Sequence, residues 1–128
     1  MRVLALDYGS ARCGCAVSDP TGTLATPLDP VEGAATKPGL ERLARLAASL
    51  GAERIVVGLP IGLSGKDTDQ TREARRFADA LRARVTVPVE MYDERFTTAI
   101  AAQAGGSKTS EDSRAAAVLL EDWLARHA

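Results

Sequence analysis

Apolar and polar positions follow a two-residue period at the start of the chain and a helical period after it. The run RVLALD (2–7) is apolar up to its final acid and predicts a strand, and CGCAVSD (13–19), after a turn at 9–12, alternates as its hairpin partner. TLATPLDPV (23–31) reads as a third strand. Over 37–53, Leu40, Leu43, Leu46, Ala47 and Leu50 recur at helical spacing, with Gly51 as the stop. RIVVGLP (54–60) predicts a strand buried between helices on both faces. A loop, IGLSGKD, then leads to a helix over 68–84 and a strand in VPVEMYDE (87–94). A short helix is expected from Thr97, the glycine-containing AGGSKTS (104–110) is expected to be mobile, and a last helix runs over 110–126. The order βββαβαβα predicts an α/β fold with a mixed five-stranded sheet and helices on both faces.

Length and composition narrow the class. A chain of 128 residues, 45% hydrophobic and 26% charged, suits one domain spanning 1–128 with room for one real core. No stretch reaches the roughly 18 apolar residues of a membrane span and the opening residues lack a signal-peptide pattern, so no membrane association is expected and the cytoplasm is the expected compartment. The two cysteines, Cys13 and Cys15, lie two apart on a strand, face the same way and read as small buried hydrophobes. The single histidine, His127, sits by the C-terminus, which argues against histidine-based catalysis. A net charge of −1 gives no general attraction to nucleic acid, although a local basic stripe can coexist with it.

The chemistry-bearing positions are acids. Asp7 closes the first strand inside D-Y-G-S-A-R-C-G, at the edge where α/β sheets collect ligands, although a turn aspartate has the same appearance. In Y-D-E-R-F-T-T, strand alternation sends Asp93 and Glu94 to opposite faces, so one of them at most meets Asp7, while Arg95 can pair with an acid or touch a phosphate. Asp112 falls in the first turn of the last helix. Thr109-x-x-Asp112 fits a capping box, yet Asp112, Ala115, Ala116, Leu119 and Trp123 share one face, and a core-facing carboxylate is costly unless paired or metal-bound. Together the three acids could gather hard oxygen ligands for Mg²⁺ or Mn²⁺. Candidate substrate contacts are Arg12, Arg95, Lys108 and, in G-L-P-I-G-L-S-G-K, Ser64 and Lys66; that loop is not a P-loop, because Asp67 stands where Ser or Thr is required. The arginines Arg72, Arg75 and Arg76, mixed with Glu73 and Asp79, read as a solvated helix face.

The blocks D-Y-G-S-A-R-C-G, V-G-L-P-I-G-L-S-G, D-E-R-F-T-T and D-S-R-A-A-A-V-L-L-E-D-W-L, in that order and over nearly the whole chain, resemble those of the YqgF/RuvX family, the pre-16S rRNA nucleases once described as Holliday-junction resolvase-like. The resemblance implies a ribonuclease H-like fold, a Mg²⁺- or Mn²⁺-dependent nuclease that matures the 5′ end of the small-subunit rRNA precursor, and catalytic and metal-binding roles for Asp7, Glu94 and Asp112. It implies structured RNA as the favoured partner, a DNA junction as the alternative, association with a pre-ribosomal particle, and a monomer or weak homodimer. The chain departs from the family in two places: the segment 102–111 has Lys108 as its one cation, and the loop after Gly58 lacks an asparagine common there. A non-catalytic binding module of the same fold is the further reading, motivated by the near-neutral charge.

Overall fold

The computed structural model describes residues 1–60, 65–93 and 111–127, the last span without the side chains of Glu111 and Asp112. The short helix expected from Thr97 and the segment 104–110 lie outside the described residues. The elements are β1 (Val3–Asp7), β2 (Arg12–Ser18), β3 (Ala25–Glu32), α1 (Lys37–Leu50), β4 (Arg54–Leu59), α2 (Asp69–Arg82), β5 (Val89–Asp93) and a last helix, α3 (Glu111–His127). They form one five-stranded sheet in the order β3-β2-β1-β4-β5. β1 pairs antiparallel with β2 and parallel with β4; β2 with β3 is antiparallel and β4 with β5 parallel. The mixed sheet expected from the pattern is therefore present.

β1 is central, and its Val3, Leu4, Ala5 and Leu6 are fully buried. Alternation divides them between two cores. Leu4 and Leu6 join Ile55, Val57, the α1 residues Leu40 and Leu43, and Phe77 and Leu81 of α2. Val3 and Ala5 join Ala16, Val56 and the α3 residues Ala116, Leu119, Leu120 and Trp123. Each large side chain so buried contributes about 1.5–3 kcal/mol over exposure. Cys13 and Cys15 are both buried in the first core and form no disulfide, as their spacing predicts.

Helix ends follow their local sequences. The Thr36 side chain accepts from the Gly39 N–H and starts α1, and Gly51, at φ 67°, ends it in the left-handed region that glycine favours. Thr68 and Thr71 cap α2 reciprocally. Along α3 the buried stripe consists of Ser113, Ala116, Ala117, Leu119, Leu120 and Trp123, while Ala115 is half-buried at its margin. The far end of α3 is tied to the sheet by polar contacts: Trp123 Nε1 and Arg54 Nη1 both donate to Glu90 Oε1 at 3.1 Å, and the Tyr92 hydroxyl donates to the Asp122 carboxylate.

Candidate active site

The site is assembled at the C-terminal edge of β1. Val3 and Ala5 face α3, so Asp7, two residues further on, belongs to that same face. Its partner across the β1–β2 ladder is Gly14, and on the other side Gly58 follows the Leu6–Val57 pair. The half-buried Asp7 is thus flanked on the sheet by two buried residues without side chains, which lets other groups approach its carboxylate closely. The turn out of β1 also requires glycine: a Cβ at Gly9 would lie 2.7 Å from the Arg12 carbonyl oxygen.

The first turn of α3 is brought to this edge by Ser113. This residue is fully buried, and its Oγ accepts the Cys15 backbone N–H at 3.3 Å. The β2–β3 register shifts between Cys13 and Cys15, and it is the Cys15 amide next to that shift that Ser113 engages. Cys15 adjoins Gly14, the partner of Asp7, and position 112 adjoins Ser113. With Trp123 held near the start of β5, α3 runs against β1 and sets its N-terminal end, where the helix dipole favours anions, over the acidic edge.

The structure sets the first turn of α3 beside the Asp7 edge and turns Asp93 away from it. Val89 and Met91 pack in the α1/α2 core while Glu90 and Tyr92 bond α3, so Asp93 lies on the face opposite Asp7. Between the two acids of the D-E-R block, Asp93 is thereby excluded from the Asp7 side. Arg12, at the start of β2, and Lys66, ahead of α2, are both exposed. Glu94, Ser64, Arg95 and Lys108, together with the Asp112 side chain, lie outside the described residues. Among the described residues no three of His, Cys, Asp and Glu are grouped so as to hold a metal ion.

Sequence reasoning passed over two residues here. Ser113 was recognisable as a polar position inside an apolar stripe, which marks a buried hydrogen bond. Tyr8 turns to the opposite face from Asp7, and its ring stacks on Phe77 with centroids 4.6 Å apart and planes at 20°. Burial, with Glu73 nearby, raises the Tyr8 phenol above its ordinary pKa. The solvated-face expectation for α2 holds for Arg72, Arg75 and Arg76, all exposed, of which the first two pair with Asp69 and Asp67.

Comparison with known proteins gives concordant results. A family model described as "RuvX: Holliday junction resolvase" matches residues 1–126. A protein of Maridesulfovibrio salexigens named "Putative pre-16S rRNA nuclease" is 37% identical over 134 residues, covering 98% of this chain and 99% of its own length. A namesake in Mycobacterium leprae is 40% identical, covering 96% of this chain and 72% of its own. Among solved structures, the RuvC protein of T. thermophilus, in complex with a Holliday junction substrate, superposes with a TM-score of 0.65 at 17% identity, over 100% of this chain and 96% of the other. The fowlpox virus Holliday junction resolvase superposes at 0.62 and 11% identity, over the whole of both chains. At those identities the likeness shows the fold, the ribonuclease H-like arrangement that the sequence blocks imply. The family model and the relatives together show that this chain belongs to the RuvX family.

Proposed function

We propose that the chain is a metal-dependent endonuclease that cuts phosphodiester bonds in structured RNA, with the 5′ end of the small-subunit rRNA precursor as its substrate. The observation that carries this reading is the meeting of Asp7 with the first turn of α3 on one sheet face, through the linked pairs Asp7–Gly14 and Cys15–Ser113. The names of the relatives support the RNA substrate.

The residues suit Mg²⁺ or Mn²⁺. Carboxylate oxygens are the hard donors such ions take, and the absence of side chains at Gly14 and Gly58 keeps the strands from crowding the Asp7 carboxylate. In this reading Asp7, Glu94 and Asp112 hold the metal, and Glu94 takes the role because Asp93 belongs to the other face. When bound, the metal supplies an activated water and charge neutralisation at the leaving oxygen. The chain's own part is to fix those acids and to position the backbone of the substrate. Arg12 and Lys66 reach phosphates from the exposed rim, with Ser64, Arg95 and Lys108 assigned the same task.

A DNA junction is the second reading, favoured by the description of the family model and the fold shared with the junction resolvases. Resolution of a junction needs two sites related by a two-fold axis, hence a dimer. The test is side-by-side cleavage of a 5′-extended rRNA precursor and a four-way DNA junction with Mg²⁺ or Mn²⁺, using wild type and Asp7→Asn. RNA cut by the wild type and spared by the variant is the expected result. Cleavage of the junction alone, by a species that sediments as a dimer, replaces the RNA reading with the second one. Full activity in Asp7→Asn overturns the site.

A further inference from the structure

On the other face of the same sheet edge, a cavity of about 290 Å³ opens between the end of β1, the turn from β3 into α1, and α2. That is about ten water molecules' worth of liquid volume. Its lining combines Tyr8 and Phe77, the small residues Ala35 and Ala80, and two charged side chains, Glu73 and Arg76. An aromatic wall, a carboxylate and a guanidinium thus line one surface depression.

The charged pair is uncommitted. Arg72, Arg75 and Arg82 of α2 each pair with an aspartate, whereas among the described residues Arg76 makes no ion pair and Glu73 none either. Both act on the Tyr8 hydroxyl, Glu73 raising and Arg76 lowering its pKa, which puts their charges near the same atom. The opposite charges cancel, so the cavity suits a neutral polar ring better than a phosphate.

We propose that this cavity is a base-recognition site that takes an unstacked guanine of the RNA substrate, with Glu73 accepting from N1–H and the 2-amino group, and Arg76 donating to O6 and N7. Guanine is the base that offers adjacent donors to a carboxylate and adjacent acceptors to a guanidinium fork. Adenine and cytosine present one amino group each, and uracil a single ring N–H. Single-stranded RNA is read in this manner, by splayed bases beside aromatic side chains with their edges hydrogen-bonded. Placement agrees: Asp7 and Tyr8 are consecutive and face opposite sides, so a strand crossing the sheet edge with a phosphate at Asp7 brings a neighbouring base to Tyr8. The proposal rests on the RNA nuclease reading for its source of guanine, although the recognition chemistry does not depend on cleavage.

The test is equilibrium binding, without metal, of GMP, IMP, AMP, CMP and UMP, and of short single-stranded RNAs with one guanine or with inosine in its place. Wild type, Glu73→Gln and Arg76→Gln are compared. The expected result is saturable binding of GMP and of the guanine RNA, at least tenfold weaker for their inosine counterparts, which lack the 2-amino group. Glu73→Gln should remove that discrimination, and Asp7→Asn should keep it. Equal affinities for all bases in both arms, or an inosine penalty that survives Glu73→Gln, overturns the site. Discrimination among free nucleotides that vanishes in the RNAs assigns the cavity to a free guanine nucleotide and overturns the RNA source. Guanine selectivity in a chain that cuts no RNA sinks the RNA nuclease reading and leaves the cavity's chemistry standing. Cleavage without any base preference does the reverse.

Discussion

Ser113, in the first turn of α3, accepts the backbone N–H of Cys15 across the sheet at 3.3 Å, and both residues are fully buried. Removing the hydroxyl leaves a buried amide without that partner, a loss of about 1–3 kcal/mol. Ser113→Ala should therefore lower the unfolding free energy from urea titration by that amount. It should also weaken Mn²⁺ binding, because the acid at 112 loses its anchor. A variant with reduced stability and unchanged Mn²⁺ affinity would confine Ser113 to a packing role.

Gly14 offers a second handle on the site, one that leaves the acids untouched. Gly14→Ala places a methyl group beside Asp7 on the α3 face. Gly14 is buried, so the added methyl must fit into packed surroundings, at a cost of about 1–3 kcal/mol. The expected outcome is a cleavage rate reduced at least tenfold in protein that still unfolds cooperatively in urea. Full activity would show that close approach to Asp7 on the Gly14 side is not needed.

Trp123 fills the far end of the α3 core and donates to Glu90. Trp123→Ala should destabilise the chain by about 3–5 kcal/mol, as for other large-to-small changes in a core. Trp123→Phe should cost about 1 kcal/mol, the worth of the hydrogen bond. Denaturant titration of the two variants separates packing from polar contact.

Tyr92 predicts an alkaline limit. Burial, followed by the hydrogen bond to Asp122, pushes its phenol up to about 12. The neutral form is the one the fold favours, so its contribution is complete below the unfolded pKa near 10 and is lost as pH rises through the folded value. Stability measured by urea should fall between pH 10 and 12, and Tyr92→Phe should flatten that decline. An identical decline in the variant would assign it to other groups.

Much of the fold was legible because one period governs each element. Leu40, Leu43, Ala47 and the Gly51 stop mark α1, and the all-apolar run 55–57 marks a strand covered on both sides. Asp7 was legible as a strand-end acid, and the placing of Asp93 on the face away from it follows from alternation along β5. Which face meets α3 was not, because that depends on the sheet order and on the register shift between Cys13 and Cys15, set by long-range pairing. Glu73 and Arg76 read as part of a solvated face because their helix carries four arginines. Only the stacking of Tyr8 on Phe77, between residues far apart in the chain, turns that stretch into the wall of a cavity.

Among the described residues, α3 alone covers the face of the sheet formed by Val3, Ala5, Ala16 and Val56. The helix that closes this core is also the one whose first turn meets Asp7. Opening of α3 would therefore dismantle the acidic edge and expose the apolar face in a single event, and a ligand gripped between Asp7 and α3 acts as a clasp on that opening. By linkage, its binding free energy adds directly to the protection of amides in β1 and α3 against hydrogen exchange, and leaves α1 on the other face governed by its own packing.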